Sequence, residues 1–268
     1  SQPPAETVAD IYGKRPDILA FSLYIWNADY LRSILFDLKR LLPHSLLLLG
    51  GPEASARAKH YLASLPADAV CVGEGEESFP ALLAALPAAC GTLPWQQPET
   101  AAALRAVKGW LWRGHEREYR PAAPPDLNRL PFLYDAAAVS ELKGQGKAVY
   151  YESSRGCPYA CAFCASASEP PRLRSLKLVL PELEQLAEIG GQIKFVDRTF
   201  NADPERAIAI TERVLALHRP GLSWHFEISP ARLNPELVAL WLAAPRNYLK
   251  LEMGVQTLHA PALAAIRR

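Results

Sequence analysis

The chain has 268 residues, enough for about two domains, each able to bury a core. Half of its residues are hydrophobic and 21% are charged, the balance of an ordinary α/β protein. A net charge of +1 gives no electrostatic drive toward nucleic acid or an anionic membrane surface, and no apolar run approaches the ~18 residues a spanning helix needs.

Residues 18–90 alternate short apolar runs with amphipathic segments, the pattern of a parallel α/β sheet. Ile18–Leu23 reads as a buried strand, and Asn27–Leu42 as a helix with Leu31, Ile34, Leu35, Leu38, Leu41 and Leu42 on one face, stopped by Pro43. Leu46–Leu49 and Ala69–Val72 are further strands, with a short helix over Arg57–Ser64 between them. Phe79, Leu82, Leu83 and Leu86 line the next helix. Each strand runs into a turn: Ser22–Trp26, Gly50–Glu53 and Gly73–Glu76. The carboxyl ends of parallel strands form the ligand crevice of an open α/β sheet, and glycine there lets a ligand approach the backbone closely. Residues 1–16 offer no strand, so the expectation is a domain over 1–92 that lacks its first strand–helix unit.

Prolines at 94, 98, 121, 124, 125 and 131 break the pattern, and 93–146, with an apolar patch at Trp110-Leu111-Trp112, reads as a linker with a small hairpin or two. Over 147–268 the alternation resumes. Strands are expected at Ala148–Glu152, Ile193–Val196, Leu222–Ile228 and Tyr248–Met253. Helices start at Pro181, after Asp203-Pro204-Glu205, after Asn234-Pro235-Glu236 and at Pro261. Four β/α units, the last cut short, make half of a barrel.

Three of the five cysteines fall in one loop directly after the first strand of this half, as Cys157-x3-Cys161-x2-Cys164. Thiolates so close converge on a soft metal centre, and three ligands suit a four-iron cluster with one iron open to a substrate. A structural zinc site wants a fourth ligand that no neighbouring His or Cys supplies by spacing, and a dithiol pair would leave Cys157 unexplained. Cys71 and Cys90 read as buried small hydrophobes. The N-terminal Ser1-Gln2-Pro3-Pro4 lacks the basic-then-apolar layout of a signal peptide, so the thiol-rich loop points to a reducing cytoplasm.

The cysteine spacing, with Phe163 just before the third cysteine, resembles the radical S-adenosylmethionine (SAM) enzymes. Upstream, Ser22, Tyr24-Ile25-Trp26-Asn27, Gly50-Gly51-Pro52 and Gly73-Glu74-Gly75-Glu76 resemble the cobalamin-binding domain fused to many of them, a Rossmann-like, flavodoxin-like fold. Together these residues resemble the subgroup of B12-binding-domain radical SAM proteins with a C-terminal region of unknown function. The resemblance implies a [4Fe–4S] cluster on Cys157, Cys161 and Cys164, whose electron cleaves SAM to methionine and a 5′-deoxyadenosyl radical. It implies SAM contacts from Phe163, Asp197, Arg198, Asn201, Glu227 and Glu252 at the ends of a partial (β/α) barrel, with Arg155 either neutralising charge there or pairing with Glu152. Cobalamin would lie against Ser22, Tyr24, Trp26, Gly50, Gly51, Pro52, Gly73, Glu74 and Gly75, without a histidine ligand, because no Asp-x-His-x-x-Gly turn is present. Methyl transfer to an unactivated carbon of an unidentified substrate is the implied reaction, with flavodoxin or ferredoxin as electron donor. The alternatives are a radical SAM enzyme with a vestigial first domain and a structural zinc module.

Overall fold

The computed structural model describes residues 2–87, 95–164 and 169–268, which divide into two compact units, Ser1–Pro125 and Asp126–Arg268. Cys90 lies outside the described residues.

The first unit opens with helix α1 (Pro4–Lys14), where the sequence shows no strand. No α1 residue is fully buried; the helix lies on α2 (Ala28–Leu41), with Thr7 Oγ1 2.6 Å from the Tyr30 hydroxyl. Strands β1 (Ile18–Ser22), β2 (Leu46–Gly50) and β3 (Ala69–Cys71) run parallel in that order. Helices α3 (Pro52–Ala56) and α4 (Ala58–Ser64) connect the last two, and α5 (Gly75–Ala84) follows β3. The uninterrupted leucines of β2 are what a strand buried on both faces requires. Leu47 and Leu49 pack with Leu35 and Leu38 of α2, and Leu46 and Leu48 pack with Leu82 of α5 and Leu104 of α6 (Pro98–Ala106). Part of the expected linker therefore belongs to this unit. Trp110–Trp112 forms β4, pairs antiparallel with β3 as the sheet edge, and buries both tryptophans among those leucines.

The second unit starts with α7 (Ala136–Leu142), capped by Asp135 accepting from the Ala138 N–H, and β5 (Val149–Tyr151). The short strands β6 (Ser154–Arg155) and β7 (Arg172–Leu173) pair antiparallel and close the base of the cysteine loop. Helix α8 spans Leu176–Ile189, so Pro181 lies inside it rather than in its first turn. The helix forgoes one hydrogen bond there, and burial of Val179, Leu183 and Leu186 holds it in place. Strand β8 (Gly191–Phe195), helix α9 (Pro204–Ala216), strand β9 (Leu222–Ile228), helix α10 (Pro235–Ala243), strand β10 (Leu249–Met253) and helix α11 (Ala260–Ala265) complete the alternation. Asp203 and Asn234 cap α9 and α10 as their positions predict.

The sheet order is β10-β9-β8-β5, all parallel and in chain sequence, as in consecutive strands of a β/α barrel. Val149, Tyr151, Ile193, Phe195, Trp224 and Phe226 pack under the helices. The residues alternating with them, Tyr150, Lys194, His225, Glu227, Lys250 and Glu252, are polar and share the opposite face. A one-sided core with a polar inner face is the chemistry of a barrel wall.

Candidate functional site

The cysteine loop leaves β5 through a densely bonded root. Ser153 is fully buried, and its N–H donates to Asp197 Oδ1 at 2.7 Å. The Ser153 and Ser154 hydroxyls donate to Asp197 Oδ2 at 2.6 and 2.8 Å. Gly156 then takes φ +92°, where a Cβ would stand 2.5 Å from the Pro170 carbonyl oxygen, so no other residue fits. The Cys157 N–H donates to the Glu169 carbonyl at 2.8 Å, fixing the first thiol at the loop neck.

Beyond the neck, a cleft of about 230 Å³ opens at the carboxyl ends of the strands. All three loop cysteines line it, together with Phe163, Arg198, Glu227 and Glu252. The structure thus gathers seven of the residues expected to meet in the second unit. Cys161 is buried, Cys157 half-buried and Cys164 exposed. Thr199 Oγ1, which donates to the Arg198 carbonyl at 2.8 Å, lies 3.5 Å from Cys157 Sγ, and Arg268 Nη1 lies 3.7 Å from Cys161 Sγ, so one of the three sulfurs has a cationic donor beside it. Glu252 Oε2 stands 3.1 Å from His225 Nε2 and 3.9 Å from Lys194 Nζ, which orients its carboxylate from the inner face of the sheet.

Three expected contacts lie outside this lining. Asp197 is buried at the loop root; burial raises its carboxyl pKa, while the donors from Ser153 and Ser154 pull it down. Asn201 is wholly buried between two loops. Its Nδ2 donates to the Ser229 and Arg232 carbonyls at 2.9 and 3.0 Å, and its Oδ1 accepts from the Ser229 N–H at 2.8 Å. Arg155 takes the second of its expected roles, donating from Nη2 and Nε to Glu152 at 2.6 and 3.0 Å. Sequence reasoning did not single out Tyr159, Thr199, Ser229, Gly254, Gln256 or Arg268 as site residues, yet all line the cleft. Tyr159 and Ser229 share a hydrogen bond of 2.9 Å across 70 residues of chain, which no local pattern announces.

The first unit carries its own cleft, of about 540 Å³, at the ends of β1, β2 and β3. Ser22, Tyr24, Gly50, Gly51, Gly73, Glu74 and Gly75 line it as expected, with Phe21, Phe79 and Trp110 as apolar walls. Trp26 and Pro52 lie outside that lining. Trp26 is exposed and stacks on Tyr24 at 4.5 Å, and Pro52 opens α3. Gly51 has φ +94°, and a Cβ on it would meet the Leu23 carbonyl oxygen at 2.8 Å. Cys71 lies at the cleft floor, where burial, reinforced by the charge of Glu76, pushes its thiol up to about 11.

Residues 1–83 match the family model of the B12 binding domain, and residues 151–268 match that of the radical SAM superfamily. The chain joins a B12 binding domain to a radical SAM domain. It is 32% identical over 162 residues to the cobalamin-dependent radical SAM methyltransferase TokK of Streptomyces tokunonensis, covering 56% of this chain and 22% of that protein. It is 28% identical to the 2-(S-pantetheinyl)-carbapenam-3-carboxylate methyltransferase of Streptantibioticus cattleyicolor, covering 77% of this chain and 31% of the relative. With the hopanoid C-3 methylase of Methylococcus capsulatus it shares 27% identity, over 95% of this chain and 48% of the relative. The chain therefore spans between about a fifth and a half of the length of these relatives.

Among solved structures, the cobalamin-dependent SAM radical enzyme OxsB, with aqua-cobalamin and SAM bound, superimposes with a TM-score of 0.71 at 19% identity. That match covers 99% of this chain and 39% of OxsB. The radical SAM methyltransferase TsrM from Kitasatospora setae, with cobalamin and a [4Fe–4S] cluster bound, gives 0.68 at 15% identity over 96% of this chain and 52% of its own. Both likenesses are of fold.

The residues present fit these groups. Among the described residues no three His, Cys, Asp or Glu side chains converge on one point. A cubane cluster asks for no such convergence, because each thiolate takes a different iron. The radical SAM domain supplies three thiols on one cleft wall, one with an arginine donor that would stabilise thiolate charge. The B12 binding domain supplies a cleft with glycine edges and aromatic walls, the surface a broad flat macrocycle packs against. Among the described residues no helix is long and apolar enough to cross a membrane.

Proposed function

We propose that this chain is part of a cobalamin-dependent radical SAM methyltransferase acting on an unactivated carbon. The gathering of Cys157, Cys161 and Cys164 with Phe163, Arg198, Glu227 and Glu252 in a single cleft carries this reading. When bound, a [4Fe–4S] cluster with SAM supplies a hydrogen-abstracting 5′-deoxyadenosyl radical, and cobalamin supplies the methyl group.

The protein's own task is holding and shielding. Cys157, Cys161 and Cys164 would ligate the cluster, with the Gly156 turn and the Cys157–Glu169 hydrogen bond presenting the first thiolate. Glu227 and Glu252 face the same space as Arg198, so a zwitterionic amino acid head finds both charges. Phe163, exposed in the loop, offers a face for a planar base. Ser22, Tyr24, Gly50, Gly51, Gly73, Glu74 and Gly75 would hold the corrin at the strand ends of the first unit. A low-potential one-electron donor such as flavodoxin or ferredoxin and a reducing cytoplasm complete the proposal.

Anaerobic reconstitution with iron and sulfide tests it. The expected result is a broad visible iron–sulfur absorption, lost in the Cys157→Ala/Cys161→Ala/Cys164→Ala variant, with 5′-deoxyadenosine released from SAM under reduction. Absorption that survives the triple substitution would refute the reading, and so would stoichiometric zinc without iron or sulfide. Binding of hydroxocobalamin distinguishes the corrinoid enzyme from one with a vestigial first domain.

A further inference from the structure

We infer that Asp197 is a positioning residue for the cysteine loop rather than a contact of the SAM molecule. Its carboxylate takes three donors, all from the two residues that lead into the loop. Oδ1 accepts the Ser153 N–H, and Oδ2 accepts both serine hydroxyls.

The other side of the same root is held as firmly. The Ser153 carbonyl accepts from Arg206 Nη2 at 2.9 Å and from the Arg174 N–H at 3.0 Å. Every polar group of Ser153 is thus engaged, and the residue has no exposed surface. Buried polar groups in such a network strongly disfavour any shift that breaks them. From this fixed point the chain pairs with Arg172–Leu173, passes the Gly156 turn and delivers Cys157.

Asp197 also stands two residues before Thr199, whose hydroxyl lies 3.5 Å from Cys157 Sγ. One strand end after β8 therefore both clamps the loop root and faces its first thiol. Asp197 is buried and absent from the cleft lining, so its carboxylate is turned away from the space a ligand would fill.

The inference rests on the reading of Cys157, Cys161 and Cys164 as cluster ligands. It is tested on the full chain by iron and sulfide content after limiting reconstitution, the EPR spectrum of the reduced cluster, and SAM binding by equilibrium dialysis. Asp197→Ala strands the buried Ser153 N–H and is expected to load about tenfold less cluster, the scale of one unsatisfied buried donor. SAM binding should fall only in proportion to cluster content. Asp197→Asn keeps an acceptor for the N–H and turns its amide toward two hydroxyls that accept as well as donate. It is expected to load close to the parent level and restore the parent EPR spectrum.

Normal loading in Asp197→Ala overturns the inference. So does normal loading with SAM binding abolished, which would make Asp197 a ligand contact, and so does Asp197→Asn loading no better than the alanine variant. Should circular dichroism show Asp197→Ala unfolded, Ser153→Ala/Ser154→Ala decides, since it removes two of the donors and leaves Asp197 in place. Reduced loading there supports the inference, and unchanged loading overturns it. A parent chain that takes up no iron and sulfide refutes the proposed function instead.

Discussion

Replacing Gly51 by alanine tests whether the first cleft depends on backbone geometry. Gly51 has φ +94° and ψ 171°, a region open almost only to glycine, and forcing another residue into it costs roughly 1–3 kcal/mol. The new Cβ would also meet the Leu23 carbonyl oxygen at 2.8 Å and the Leu23 nitrogen at 3.1 Å. These are backbone atoms, and both are in use. The Leu23 N–H donates to the Gly50 carbonyl at 2.8 Å, and the Leu23 carbonyl accepts from the Glu53 N–H at 3.3 Å. Loosening those two bonds adds about 1 kcal/mol, so a total loss of about 2–4 kcal/mol follows. With a urea m-value of about 2 kcal/mol/M, the middle of the usual range, the midpoint should fall by roughly 1–2 M.

Hydroxocobalamin binding, followed by its absorption change, should weaken in parallel because the β2 turn edges the cleft. Gly50→Ala is the control for stability, as its Cβ would meet only the Cys71 Cβ at 3.7 Å, an ordinary contact. If Gly51→Ala matches Gly50→Ala in midpoint, the steric argument is wrong.

Removing one partner of the buried Arg174–Glu182 pair, with side chains 9% and 7% exposed, should cost about 3–5 kcal/mol in thermal or urea unfolding. Glu182→Leu also strands the Tyr151 hydroxyl, which donates to it at 2.5 Å. Asn201→Ala leaves the buried Ser229 N–H without its acceptor, while the Ser229 carbonyl keeps the Arg232 N–H at 3.2 Å, and should destabilise the second unit by about 1–3 kcal/mol. A change below about 0.5 kcal/mol, the size of a plain surface substitution, would contradict that accounting. For Cys71, a thiol pKa raised to about 11 means that folding favours its protonated form. Its contribution to stability is full at neutral pH and is lost as pH climbs from the unfolded thiol range through 11. At pH 8 its thiolate fraction is about one in a thousand, so iodoacetamide mapped by mass spectrometry should label the exposed Cys164 and spare Cys71.

Much of the architecture was legible because it is written in local periods. The four leucines of β2, the leucine stripe of α2, and the Asp203 and Asn234 caps each depend on neighbours a few residues away. So does the three-cysteine spacing, which a ligand loop must carry within itself. These determined the α/β class, the order of elements, the place of the cysteine loop and the glycine edges of the first cleft.

Tertiary structure decided the rest, because the partners are distant in sequence. Trp110-Leu111-Trp112 becomes an antiparallel edge strand only because β3 lies open to it. A polar residue at a strand end reads alike whether it faces a ligand or the protein. Glu227 and Glu252 face the cleft, while Asp197 turns to serines 43 and 44 residues away and Asn201 to a loop 28 residues away. That choice follows from which donors the fold leaves buried beside each side chain, and a buried N–H or hydroxyl must find its acceptor whatever chemistry the neighbouring cleft performs.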